Sequence, residues 1–167
     1  LTGQRRVGKS FLLYQLIEEI LAEEPDANII YVNLEDFTFS SLQTAEDLHS
    51  YIISHSKEKV KNYIFIDEIQ DIPGFEKVIR SLLLNEDNDI YITGSNAKML
   101  SGELATYLSG RYIEFKIYSL SYSEFLEFHG LTESETSYEL YSRYGGLPYL
   151  LNLPREDETV NEYLKSV

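Results

Sequence analysis

The residues best suited to chemistry stand at the start of the chain. Leu1-Thr2-Gly3-Gln4-Arg5-Arg6-Val7-Gly8-Lys9-Ser10 places two glycines, a lysine and a hydroxyl in the spacing G-x-x-x-x-G-K-[ST]. Glycines let backbone N–H groups turn toward phosphate oxygens, a lysine at this place reaches the outer phosphates, and the following hydroxyl ligates Mg2+. Backbone donors define such a loop, so the Arg5 and Arg6 side chains either add charge toward phosphate or pair with surface acids. A second group follows the apolar run Tyr63-Ile64-Phe65-Ile66, where Asp67 and Glu68 come directly after it. An acid at the carboxyl end of a buried strand can hold Mg2+ opposite a phosphate loop. The next carboxylate points differently and can take a proton from an attacking water.

Other candidates are weaker. Thr93-Gly94-Ser95-Asn96 would bring hydroxyls and an amide to the same sheet edge, toward a terminal phosphate or the water, while Ser95 or Asn96 would also suit a helix cap. Arg111 precedes an alternating run and is placed either to reach a nucleotide, in its own chain or a neighbour's, or to form a local salt bridge. Glu35 and Asp36 end another strand and read as loop acids more readily than as ligands. His49 and His55 lack the third ligand a zinc site requires.

These residues need elements to position them. Ser10 to Leu21 reads as a helix whose first turn lies in the phosphate loop, so its free N–H groups point at phosphate. Asn28 to Leu34, Tyr63 to Ile66 and Ile90 to Ile92 read as buried strands, with Tyr112 to Ile117 as an edge strand. Thr44 to Ser56, Phe75 to Leu84 and Met99 to Leu108 read as helices between them. This alternation implies right-handed crossovers and a parallel α/β sheet. Beyond Ser119 the pattern turns helical: Ser121 to His129, then Glu133 to Tyr144 with Thr132 as a candidate cap, a break at Gly145-Gly146-Leu147-Pro148, and a polar helix from Arg155 to Val167. The expected division is a core over 1–117 and a small helical lid over 118–167. Only Leu1 and Thr2 precede the loop, so the first strand is expected to be reduced to its last residues.

Composition narrows the partners. Among 167 residues, 28 are acidic and 14 basic, for a formal charge of -14. Such a surface repels nucleic acid, and the one basic stretch, Lys57 to Lys61, is interrupted by Glu58. There is no cysteine, which excludes disulfides and thiolate metal sites and fits a reducing cytoplasm. No apolar run approaches the roughly 18 residues of a membrane span.

Taken together, Thr2 to Ser10, Y-I-F-I-D-E-I-Q (Tyr63 to Gln70), I-T-G-S-N (Ile92 to Asn96), L-S-G-R (Leu108 to Arg111), Y-S-L-S-Y-S-E-F (Tyr118 to Phe125) and Y-G-G-L-P (Tyr144 to Pro148) resemble the AAA+-like P-loop ATPases of prokaryotes. The resemblance implies a P-loop sheet of order 5-1-4-3-2, a C-terminal helical lid and a further C-terminal domain beyond Val167. It implies ATP and Mg2+ as ligands, bound along Gly3, Gln4, Arg5, Arg6, Val7, Gly8, Lys9, Ser10 and Phe11. Lys9 would hold phosphate, Ser10 and Asp67 the metal, and Glu68 would activate water. Ser95 or Asn96 would be the polar sensor, and Arg111 would act across subunits of a homo-oligomer. The expected function is Mg-dependent ATP hydrolysis that drives or switches an effector domain. The rival is a regulatory nucleotide-binding module with little hydrolysis of its own.

Overall fold

The computed structural model describes residues 1–94, 108 and 110–150. In chain order the elements are β1 (Thr2–Gly3), α1 (Lys9–Glu23), β2 (Asn28–Asn33), α2 (Ala45–His55), β3 (Asn62–Asp67), α3 (Phe75–Leu82), β4 (Asn88–Ile92), β5 (Lys116–Ile117), α4 (Tyr122–Phe128) and α5 (Glu135–Tyr144). They fall into two compact units. The first comprises Leu1–Thr2 and Lys9–Lys116, and the second Gly3–Gly8 with the chain from Ile117 onward.

In the first unit β2, β3 and β4 form a parallel sheet with β3 central. Side chains alternate across a strand, and each face has its own core. Ile30, Val32, Ile64 and Ile66 pack with Leu48 and Ile52 of α2 and Phe75, Val78, Ile79 and Leu82 of α3. On the opposite face, Tyr63 and Phe65 pack with Leu13, Leu16, Ile17 and Ile20 of α1. Phe65 and Tyr91 stack across neighbouring strands with centroids 4.7 Å apart. Each fully buried Ile, Leu or Phe here is worth about 1.5–3 kcal/mol. Apolar residues of α1 outside its stripe stay in solvent, and Phe11 is 74% exposed.

The sheet's register is pinned at its amino end by a row of asparagines. Asn28, Asn62 and Asn88 are direct partners across the three strands. Asn62 Oδ1 accepts from Asn28 Nδ2 and from the Lys57 N–H, each at 2.8 Å, and Asn62 Nδ2 donates to Asn88 Oδ1 at 3.2 Å. Asn28 Nδ2 also donates to His55 O at 3.0 Å, and Asn88 Nδ2 to Leu82 O at 2.8 Å, so the row ties the sheet to the ends of α2 and α3. Asn62 is fully buried. Strand β1 pairs with β5. A parallel bridge joins Thr2 to Gly94, just past β4.

Cap chemistry agrees closely with the helix starts. Thr44 and Asp47 make a reciprocal capping box at α2, as do Ser121 and Glu124 at α4. Two expectations are corrected. Helix α5 begins at Glu135 and its cap is Ser134, which accepts from the Ser137 N–H; Thr132 instead offers its carbonyl to the Ser137 hydroxyl. The alternation in Tyr112 to Ile117 yields a strand only at Lys116–Ile117. Tyr112, Ile113 and Phe115 are exposed and so bury no apolar face there.

In the second unit α4 and α5 meet through rings: Tyr122 against Tyr138 and Tyr141, and buried Phe125 against Tyr141. Gly146 is required by close approach, because a Cβ there would stand 2.0 Å from Leu120 O. The two segments are also joined by the Leu120 N–H, which donates to Gly146 O at 2.8 Å. The turn that follows delivers Leu147 and Leu150 to a small core shared with Val7, with Ile117 and Tyr144 at its margin.

Two measurements probe these cores. Asn62→Ala strands the Asn28 amide and the Lys57 N–H, and chemical denaturation is expected to show a loss of about 2–4 kcal/mol. His129, against Phe125 and Phe128, has its pKa lowered from 6.5 by burial. Its folded pKa lies below the unfolded one, so the unfolded chain binds the proton more readily. Stability present above pH 6.5 is therefore lost as pH falls through and below that value. As pH falls across this range the denaturation midpoint of wild type should drop relative to that of His129→Leu, with the variant the less pH-sensitive.

Candidate functional site

Strand alternation puts Asp67, at the carboxyl end of β3, on the same face as Tyr63 and Phe65, the face covered by α1. Lys9 opens α1 and is 4% exposed, with Ser10 next to it; Asp67 is 1% exposed. Glu68 follows in the left-handed region, with φ 55° and ψ 45°. A non-glycine residue in that region is strained by about 1 kcal/mol or more and needs surrounding structure to hold it.

Thr93 supplies that structure. Its hydroxyl donates to Asp67 Oδ1 and accepts from the Glu68 N–H at 3.0 Å. Its backbone N–H donates to Ile66 O at 2.9 Å, and its carbonyl accepts from the Ile69 N–H at 3.1 Å. Four hydrogen bonds from one fully buried residue thus fix the chain on both sides of the acid pair. The sequence places the Thr93 hydroxyl toward a ligand; in the structure that hydroxyl is committed to Asp67 and Glu68. Its role as the support of both acids has no sequence signal beyond its place after a buried strand.

Asp67 Oδ2 is met by a second hydroxyl. Tyr31, from β2, donates toward it at 3.4 Å and stands 3.0 Å from the Tyr14 hydroxyl of α1. Burial first, then the bond with Tyr14 and the charge of Asp67, raise the Tyr31 pKa far above its ordinary value, so it remains a phenol. Glu68 in turn accepts a hydrogen bond from Gln70 Nε2. No role for Tyr31 was legible in the sequence, because an aromatic in a strand reads as core, and Gln70 entered only as the last residue of the Y-I-F-I-D-E-I-Q motif, with no role attached.

The loop Gly3–Gly8 lies in the second unit. Gly3 has φ 151°, Arg6 φ 63° and Gly8 φ 101°, so φ is positive at three places within it, and at Gly8 a side chain would be strained. Buried Val7 anchors the loop against Leu147 and Leu150. Gln4, Arg5 and Arg6 are exposed.

Arg111 is exposed and lines a cavity of about 410 Å3 bounded by β4, Ile79, Leu83, Leu108 and Glu114. Lys9, Ser10, Asp67 and Glu68 are not among the residues lining it. Asp36 uses its carboxylate to cap the turn Phe37–Phe39, and the Thr38 N–H it accepts lowers its pKa. His49 meets Ser81 Oγ at 3.0 Å, while His55 stacks on Tyr51. Ser95, Asn96 and the helix expected over Arg155 to Val167 lie outside the described residues. Among the described residues no helix is long and apolar enough to cross a membrane.

A parallel sheet with helices on both faces, a glycine loop running into the first helix and acids at a strand's carboxyl end define an α/β domain of the P-loop kind. The family model for the AAA domain matches residues 1–126, and the chain belongs to that family of nucleotide-binding ATPase domains. It is similar to an uncharacterized protein of Haemophilus influenzae, with 41% identity over 177 aligned residues that cover 99% of this chain and 42% of that protein. It is also similar to an uncharacterized protein of Methanocaldococcus jannaschii, with 31% identity over 180 residues that cover 99% of this chain and 39% of that one. The chain thus spans about two fifths of the length of the curated relatives it matches.

Replacing Thr93 tests the support of the acid pair. Thr93→Val keeps the shape and removes both hydroxyl bonds, and denaturation should register a loss of about 1–3 kcal/mol, while Thr93→Ser should recover most of it.

Proposed function

We propose that this domain binds ATP with Mg2+ and hydrolyses it. The reading is carried by one observation above the rest: a buried Asp67 with Glu68 beside it, both held by Thr93 at the strand end that shares a face with the helix opened by Lys9 and Ser10. Gly3 to Gly8 supply backbone N–H donors to the phosphates as part of the same continuous motif, and Lys9 neutralises the outer phosphate. Ser10 and Asp67 offer hard oxygen donors, which suit Mg2+, a cation that takes few protein ligands and completes its shell with phosphate and water. When bound, Mg2+ supplies charge neutralisation to the phosphate oxygens. Glu68 accepts a proton from a water as that oxygen bonds to the γ-phosphorus in line, and the bond from phosphorus to the bridging oxygen of ADP breaks.

Further supports concern architecture. We assign the order 5-1-4-3-2 to the strands, a reading supported by the parallel bridge between Thr2 and Gly94 beside the β1-β5 pair and the β2-β3-β4 sheet. We assign α4 and α5 to the helical lid expected over 118–167. Exposed Arg111 suits contact with nucleotide on a neighbouring copy. Because the matched relatives are much longer, the hydrolysis cycle is assigned to switching or driving another part of the same protein.

Nucleotide affinity and phosphate release, measured on Lys9→Ala and Glu68→Gln, test the assignment. Lys9→Ala should abolish tight ATP binding, whereas Glu68→Gln should bind ATP near normally and lose at least about 100-fold in turnover. Undiminished phosphate release by the glutamine variant would remove Glu68 from the chemistry.

A further inference from the structure

Gln70 lies in the short turn Ile69–Asp71 that leaves Glu68. That turn is held at both ends: the Ile69 N–H donates to Thr93 O, and the Asp71 N–H to Glu68 O, each at 3.1 Å. From this fixed backbone the Gln70 side chain folds back, and its Nε2 donates to Glu68 Oε2. The other end of the amide behaves differently. Gln70 Oε1 is buried and accepts no hydrogen bond from the described residues. Reversing the amide would set its carbonyl oxygen against the Glu68 carboxylate, so the negative charge dictates which end faces Glu68.

A buried carbonyl without a donor is destabilising, and an unbranched apolar side chain of similar length would fill the same space without that penalty. Stability alone therefore does not favour glutamine at this position. What glutamine adds is a donor that fixes the orientation of a long, rotamer-rich carboxylate whose backbone is already set by Thr93. We infer that Gln70 is a positioning residue for Glu68: it orients the carboxylate that takes the water's proton and acts on hydrolysis through that hydrogen bond. This rests on the proposed general-base role of Glu68.

The test uses the whole protein with Gln70→Met and Gln70→Leu, alone and combined with Glu68→Gln. It measures kcat and KM for ATP together with the thermal midpoint. Both single variants should lower kcat about 10- to 100-fold, the cost of a misaligned catalytic group, with KM changed by less than about threefold. Their thermal midpoints should stay level or rise. In the Glu68→Gln background, where there is no carboxylate to orient, either substitution should change the residual rate by less than about twofold. The inference is overturned if Glu68→Gln halts turnover while both Gln70 variants keep normal kcat. It is overturned equally if kcat and thermal midpoint fall together, or if the Gln70 substitutions slow the Glu68→Gln protein further. Normal turnover by Glu68→Gln would remove the general-base reading itself and this inference with it.

Discussion

The hydroxyl of Thr93 is the interaction on which the arrangement of the acids depends. A carboxylate buried at a strand end and a second one forced into a left-handed turn are both unfavourable in isolation. One side chain resolves both, donating to Asp67 and accepting from the Glu68 N–H. Threonine suits this place because a hydroxyl both donates and accepts, and because its β-branch restricts the rotamer within a buried strand end. Two acids adjacent in sequence thus acquire different directions while remaining parts of one rigid corner.

The sheet is polar at both ends and apolar between. At its amino end, three asparagines in register close one another's hydrogen bonds and reach the ends of α2 and α3. At its carboxyl end the polar groups are acids and hydroxyls. A parallel sheet buried on both faces can slip register with little change in apolar burial, because its strands are hydrophobic throughout. Slippage would break the asparagine row at once. The row therefore helps fix how far β3 extends past its neighbours, and so where Asp67 emerges.

What the sequence made legible follows from how local each signal is. The G-x-x-x-x-G-K-S pattern and the apolar run before Asp67 depend on near neighbours, and they could be read directly, whereas the cap expected at Thr132 stands at Ser134. The membership of the AAA domain family, expected from the motif series, is shown by the match over residues 1–126. The partners of the acids were not legible. Tyr31 lies in a different strand from Asp67, and Thr93 lies a helix and a strand beyond it, so only the parallel register brings their hydroxyls to the carboxylate. The support of the phosphate-type loop was also hidden, because Val7 meets Leu147 and Leu150 from the far end of the described chain. Over Tyr112 to Phe115, alternation misled, since three of those residues stay exposed instead of burying one face.

The small core around Val7 bears on how the chain folds. The second unit is built from two separate stretches, Gly3–Gly8 and the chain from Ile117 onward, so no single cut could release it whole. Helices α4 and α5 are close in sequence and can come together early. Their neighbouring core closes only when the amino-terminal loop arrives, after the entropy of a very long loop has been lost. The glycine loop is thus anchored through Val7 only once the chain around Leu147 and Leu150 has come back to it.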